Sequence, residues 1–206
     1  MLKGGGSLNI GVLASGRGTN LQAIIDAIER GELHAQVAVV ISDRRDALAL
    51  ERARQHGIPA VFLDPKLYPS REAYDLAVAE ELKRYQVEVV ALAGYMRLVT
   101  PAFLARFPLR VVNIHPALLP SFPGVEAQRQ AVEYGVKYSG CTVHFVDEGM
   151  DTGPIIAQAV VPVRDDDTAE SLAERILKEE HRLYPYVLEL IAQGRVEVRG
   201  RKVYIH

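Results

Sequence analysis

Between Leu8 and His115 the chain alternates apolar runs with helical stretches, which limits its folds more than any other feature. Strands are expected at Leu8–Ala14, Ala35–Ile41, Ile58–Leu63, Val87–Ala93 and from Val111 to His115. Helices are expected between them. The first carries Leu21, Ile24, Ile25 and Ile28 and ends at Gly31; the second runs from Ala47 to His56 and stops at Gly57. The third is capped by Ser70; the fourth has Thr100 as cap, Pro101 at its first position, and runs to about Phe107. The order β-α-β-α-β-α-β-α-β implies parallel strands joined by right-handed crossovers, with helices on both faces.

The second half breaks this rhythm. A helix is expected from Val125 to Tyr134, ended by Gly135, then a strand over Ser139–Val146. The glycine-punctuated acidic loop Asp147–Pro154 leads to a strand over Ile155–Val163. A long helix follows, with Asp167 and Glu170 in capping-box-like spacing and a bend or interruption near Pro185. Val196–Ile205 reads as a small hairpin turning at Gly200. With no repeat, low-complexity tract or linker, the expected fold is α/β: one open, mostly parallel but mixed, doubly wound sheet in a single domain over residues 1–206.

In such sheets ligands sit beyond the carboxyl ends of strands. Three expected strand ends carry chemistry. After the first stands Ser15-Gly16-Arg17-Gly18-Thr19-Asn20, a glycine-rich turn into a helix, where backbone N–H groups can hold a phosphate. Thr19 and Asn20 add donors and could cap the helix. The loop is neither G-x-G-x-x-G nor a Walker A motif, so neither a dinucleotide nor ATP is indicated. The fourth strand ends at Gly94-Tyr95-Met96-Arg97-Leu98-Val99, and the fifth at Asn113-Ile114-His115-Pro116. Their common position predicts one shared cleft.

Asn113 and His115 are two apart, hence on one side of an extended segment, and Pro116 keeps His115 out of helical geometry. An amide beside an imidazole could bind an oxygen that becomes negative, with His115 also able to move a proton. Alone, a strand-end histidine beside proline is structural about half the time. Asp151, in the acidic loop, is the obvious partner, since a nearby carboxylate favours a charged imidazole; it could equally shape a turn with Gly149 and Gly153. There is no G-x-S-x-G elbow, and Cys141 lies in an expected strand, more suited to the core than to nucleophilic attack.

Composition closes off other classes. A net charge of −2 gives no general affinity for nucleic acid or membrane, and no run approaches the length of a bilayer span. One cysteine and six scattered histidines leave no metal-site spacing, so no metal is expected. Residues 1–7 read as a flexible lead-in, not a signal peptide, and a reducing, cytoplasmic setting follows.

Asn113-Ile114-His115-Pro116-Ala117-Leu118-Leu119-Pro120 followed by Pro123-Gly124, with Asp151 in Gly149-Met150-Asp151-Thr152-Gly153, resembles the signature of the folate-dependent formyltransferases. The resemblance covers nearly the whole chain after residue 7. The Ser15–Asn20 loop, Ser70-Arg71-Glu72-Ala73-Tyr74 and Glu180-His181-Arg182-Leu183-Tyr184-Pro185 point to the branch that acts on phosphoribosylglycinamide. The resemblance implies a Rossmann-like formyltransferase fold, with a phosphate-binding N-terminal half and a folate-binding C-terminal half. It implies 10-formyltetrahydrofolate as co-substrate, small-molecule substrates and a homodimer, although no interface stripe is legible.

The roles it implies are specific. Asn113 and His115 would stabilise a tetrahedral oxyanion, and Asp151 would hold His115 protonated and help move a proton. Gly18, Thr19 and Asn20 would hold the ribotide phosphate, and Glu180 its ribose or glycinamide end. Arg71 would face the folate; Met96, Arg97, Leu98 and Val99 would line its slot, with Asn113 at hand and Asp147, Glu148, Gly149 and Met150 closing it. Thr142 would position a water, and Leu119-Pro120 would be a cis bond. Ala117 and Thr19 stand where serine is common, and Glu126 and Gln128 where relatives carry His or Asn, so that stretch is given no ligand contact. Two other readings compete: hydrolytic deformylation on the same three residues, which the phosphate loop argues against, and a nucleotide-binding regulatory module, which leaves the Asn–His–Asp set without a purpose.

Overall fold

A computed structural model describes residues 6–206, so the first five residues of the expected lead-in lie outside the described residues. The strands form a seven-stranded sheet in the order β3-β2-β1-β4-β5-β6-β7, with a separate two-stranded sheet. The chain divides after Val112, inside the fifth strand, into two compact units.

The first unit holds strands β1 (Leu8–Leu13), β2 (Ala35–Ser42), β3 (Ala60–Phe62) and β4 (Val89–Leu92), and helices α1 (Thr19–Glu29), α2 (Leu48–Gln55), α3 (Arg71–Arg84) and α4 (Pro101–Arg106). β1 pairs in parallel with both β2 and β4, and β2 with β3. Strands of this kind are covered on both faces and read as unbroken apolar runs. Five of the six residues of β1 and all four of β4 are accordingly buried. α1 turns Leu21, Ile24, Ile25 and Ala27 inward, positions spaced for one helical face.

Two caps follow expectation. Ser70 Oγ accepts from Ala73 N at 3.1 Å, and Thr100 Oγ1 from Phe103 N at 3.4 Å, with Pro101 at the start of α4. α1 differs from expectation. Its N-cap is Gly18, at φ 71°, and no side chain caps it; Thr19 and Asn20 are already the first helical residues. The cause is room as well as dihedral angle. A Cβ on Gly18 would stand 2.7 Å from Ala49 Cα, so only glycine fits this left-handed turn.

The fifth strand, β5 (Val111–His115), carries the division. The second unit continues with α5 (Ala127–Tyr134), β6 (Tyr138–Phe145), β7 (Ile155–Pro162), α6 (Ala169–Ala192), β8 (Val196–Arg199) and β9 (Lys202–Ile205). β6 and β7 are antiparallel, which makes the sheet mixed. β8 and β9 form the expected hairpin around Gly200.

α6 corrects the expected cap and narrows the expectation at Pro185, where the helix is not interrupted. Its capping box joins Thr168 and Ser171, not Asp167 and Glu170. Asp167 instead takes both arms of the Arg175 guanidinium, at 2.7 and 2.9 Å. Serine can reach back to the cap N–H as glutamate does, so the box forms one residue later. Pro185 lies inside α6 without interrupting it. A proline costs a helix interior ~3 kcal/mol. Leu183, Tyr184, Val187, Leu188 and Leu190 are all buried around it, and burial at ~1.5–3 kcal/mol per side chain outweighs that cost.

Candidate active site

The second unit holds Asn113, His115 and Asp151. At the end of β5, Asn113 is half-buried and His115 is buried. His115 Nδ1 lies 3.6 Å from Asp151 Oδ2. Its other ring nitrogen, Nε2, donates to the Phe122 carbonyl at 2.7 Å. Asp151 Oδ2 also accepts from Gly124 N at 2.7 Å. The turn that follows β5 therefore touches both members of the pair. Asp151 itself is held at φ 56°, an uncommon conformation for a residue with a side chain. The structure thus brings together the histidine and aspartate that lie far apart in sequence.

The turn after β5 is fastened from below. Leu119-Pro120 is cis. Thr142, fully buried in β6, donates through Oγ1 to the Ala117 carbonyl at 2.7 Å and accepts from Leu119 N at 3.1 Å. Gln158 of β7 donates to the Leu119 carbonyl at 2.9 Å and to Thr142 Oγ1 at 3.0 Å. The Thr142 hydroxyl, expected to orient a water, is engaged with backbone here.

The acidic loop folds on itself. Asp147 Oδ1 accepts from Gly149 N at 3.0 Å and from Thr152 Oγ1 at 2.5 Å. A Cβ on Gly153 would stand 1.7 Å from the Phe145 carbonyl oxygen, so the loop closes against β6 only because that residue has none. Glu148, Gly149 and Met150 are exposed at its tip. Met150, Asp151, Leu119 and Pro120 share the lining of a cavity of about 750 Å³ with Arg201 and Tyr204 of the C-terminal hairpin. The Arg201 guanidinium donates to the Thr152 carbonyl. Reading the sequence gave the hairpin no part here. Its only signal, a basic pair beside Gly200, is too common to single out.

His144 is the residue that sequence reasoning missed. It lies on β6 two residues after Thr142, 2 % exposed, with Nε2 3.8 Å from Asp151 Oδ1. Its Nδ1 donates to the Phe145 carbonyl at 2.9 Å, which leaves the proton on Nδ1 and a bare lone pair on Nε2. Burial pushes its pKa down, and this outweighs the upward pull of Asp151. The i, i+2 spacing with Thr142 was the available signal. Cys141 is buried in the same strand, and burial pushes its thiol up to about 12, which removes it as a nucleophile near neutral pH. Glu180 is 7 % exposed on α6.

In the first unit, Ser15 ties two loops together. Its N–H donates to the Gly94 carbonyl at 3.1 Å, and its Oγ donates to Asp43 Oδ1 at 2.7 Å and accepts from Met96 N at 2.9 Å. Gly18 turns the chain into α1, whose first N–H groups have no partner within the helix. Thr19 is half-buried and Asn20 buried there. In the Gly94–Val99 loop, Met96 is 70 % and Leu98 43 % exposed, while Val99 is buried. The Arg97 guanidinium lies over the Tyr74 ring, 4.6 Å from its centre. Arg71 Nη2 donates to the Leu98 carbonyl at 2.9 Å. Exposed apolar side chains beside a stacked guanidinium suit a flat, aromatic ligand.

Among the described residues no helix is long and apolar enough to cross a membrane, and no three His, Cys, Asp or Glu side chains are grouped to hold a metal.

Residues 8–188 match the family described as formyl transferase. The chain is 43 % identical to the phosphoribosylglycinamide formyltransferase of Escherichia coli (strain K12), over 96 % of this chain and 93 % of that one. It is 48 % identical to the trifunctional purine biosynthetic protein adenosine-3 of Drosophila melanogaster over 90 % of its own length, and spans 14 % of that larger relative. Glycinamide ribonucleotide transformylase 1 from Symbiobacterium toebii superposes with a TM-score of 0.97 at 58 % identity, covering 100 % of this chain and 97 % of that one. A formyltetrahydrofolate deformylase from Pseudomonas syringae is 30 % identical, with a TM-score of 0.88, over 97 % of this chain and 66 % of that one.

Proposed function

The chain belongs to the formyl transferase family, and from that premise we propose that it transfers the formyl group of 10-formyltetrahydrofolate to the amine of 5-phosphoribosylglycinamide, a step of de novo purine biosynthesis in the cytoplasm. The observation that carries the chemistry is the 3.6 Å approach of His115 Nδ1 to Asp151 Oδ2, with Asn113 two residues before the histidine.

Asn113 donates to the formyl oxygen as negative charge collects there when the amine attacks, and His115 joins it once its Nε2–H turns from the Phe122 carbonyl to that oxygen. Each well-placed donor of this kind is worth ~3 kcal/mol of barrier. Both His115 ring nitrogens face oxygen acceptors, the setting that a doubly protonated ring fills. Asp151 takes the proton released by the attacking amine, and that proton goes on to N10 of the folate as its bond to the formyl carbon breaks. One C–N bond forms, one breaks, and one proton changes nitrogen. Holding both reactants in place supplies much of the remaining acceleration.

In this reading the N-terminal half binds the phosphate. Gly18, Thr19 and Asn20 hold it at the start of α1, where backbone N–H groups favour an anion. Glu180 contacts the ribotide's ribose or glycinamide end. Arg71, Met96, Arg97, Leu98 and Val99 take the folate, with Asp147, Glu148, Gly149 and Met150 closing over it. Thr142 acts on the water path through the turn that it fastens. The active form is a homodimer, which light scattering of the pure protein tests.

The deformylase reading keeps the same three residues but has no use for the Ser15–Asn20 loop, since water would replace the ribotide. The deciding measurement supplies 10-formyltetrahydrofolate with and without phosphoribosylglycinamide. Formylated ribotide formed in step with folate release supports the transferase. Free formate at the same rate in both reactions overturns it.

A further inference from the structure

Asp151 stands between two imidazoles. His115 Nδ1 is 3.6 Å from Oδ2, and His144 Nε2 is 3.8 Å from Oδ1. The first has a place in the proposed chemistry and the second has none. His144 is nonetheless no ordinary core residue. It is 2 % exposed, its Nδ1 is committed to the Phe145 carbonyl, and its Nε2 makes no hydrogen bond. A buried, bare ring nitrogen costs stability.

What sets His144 apart from His115 is its burial without a bond at Nε2, which favours the neutral ring. An ionised carboxylate oxygen and an imidazole lone pair are both acceptors, and two acceptors do not bond. A proton placed on Oδ1 makes the same approach attractive, and a closure of about 1 Å reaches hydrogen-bond length. The charged and titratable groups facing His144 are Asp151, His115 and Asp147. Burial, the largest of the influences on the ring, keeps it neutral in spite of the two acids. Neutral His144 with its proton on Nδ1 is therefore an acceptor aimed at a group that must be alternately bare and protonated.

Building on the proposed transfer reaction, we infer that His144 is a positioning residue that acts through Asp151: its Nε2 accepts a hydrogen bond from Oδ1–H whenever that carboxylate holds the proton taken from the amine. The bond stabilises the protonated carboxyl during the interval between attack and departure of N10. It lapses when the proton moves on. His144 touches neither substrate, and no covalent bond to it forms or breaks.

Two measurements test this. The first is ¹⁵N NMR of the histidine-labelled protein between pH 5.5 and 8. It should show His144 neutral, with the proton on Nδ1 and Nε2 bare. A proton on Nε2 across that range overturns the inference. The second compares formyl transfer by the parent, His144→Phe and His144→Gln. The Phe variant, which offers no acceptor, should lose at least about tenfold in kcat, keep both KM values within about twofold, and move the acid-side inflection of kcat to lower pH. Gln offers an amide oxygen and should recover part of kcat and return the inflection toward the parent's. A Phe variant with the parent's kcat and pH profile, altered only in Tm, overturns the inference. Should the Phe variant fail to fold, a Gln variant that keeps kcat within about tenfold of the parent's, with both KM values and the acid-side inflection close to the parent's, supports the inference, and one that loses more than that or moves the inflection to lower pH overturns it. A parent protein that transfers no formyl group refutes the functional reading instead, and the NMR assignment then decides the His144–Asp151 relation alone.

Discussion

His115 and Phe122 are joined by a 2.7 Å hydrogen bond from the ring Nε2 to the main-chain carbonyl. The ring is thus held by its own following turn on one side and by Asp151 on the other. Replacing Asp151 with asparagine leaves the Gly124 N–H an acceptor but removes the charge facing Nδ1. Asp151→Asn should lower turnover by ~10²–10⁴-fold and leave folate affinity intact. Steady-state kinetics with folate binding measured by calorimetry checks this; unchanged turnover would take Asp151 out of the proton path.

Asn20→Ala should weaken ribotide binding more than folate binding, because Asn20 lies in the first turn of α1. Titration of each substrate separately gives the comparison. Equal losses for both would mean that the loop shapes the protein instead of holding the phosphate.

Gly18→Ala places a Cβ 2.7 Å from Ala49 Cα at φ 71°. Left-handed strain costs ~1–2 kcal/mol, and the contact adds to it. Urea unfolding should show a loss of at least that size. A stability equal to the parent's would mean that the turn has another conformation available.

Thr142→Val removes an acceptor from the buried Leu119 N–H and a donor from the Ala117 carbonyl. An orphaned buried group costs ~1–3 kcal/mol, so the variant should unfold at lower denaturant. Its turnover should fall as well, because the same turn presents Phe122 and Gly124 to the catalytic pair.

Asp167 is held well below the usual carboxylate range, chiefly by its hydrogen bonds with Arg175. The folded form keeps the carboxyl ionised where the unfolded chain has begun to take up a proton. The pair's stabilisation is therefore complete above the ordinary value of 3.8 and is lost as pH falls through the folded one. Asp167→Asn should lower Tm at pH 7, and its gap from the parent should shrink once pH drops below 3.8. A gap independent of pH would dissociate the effect from the ion pair.

Much of this architecture is written locally in the chain. The caps at Ser70 and Thr100, the stop at Gly135 and the hairpin at Gly200 were legible because each depends on side chains within a few residues. Gly18 was not read as a cap, because the reason for it, the nearness of Ala49, comes from a helix thirty-one residues on. Asp167 was assigned to a capping box because Arg175, its actual partner, is eight residues away along a helix whose start was misplaced by one position. Asn113, His115 and Asp151 were recognised by motif, whereas His144 was passed over. It carries no motif, and only the fold reveals which acid it faces.

Ser15 binds three partners in two neighbouring loops with one amide and one hydroxyl. The segment that leads into α1 and the segment bearing Met96 are consequently tethered to each other. A displacement of either must be followed by the other or must break that serine's bonds.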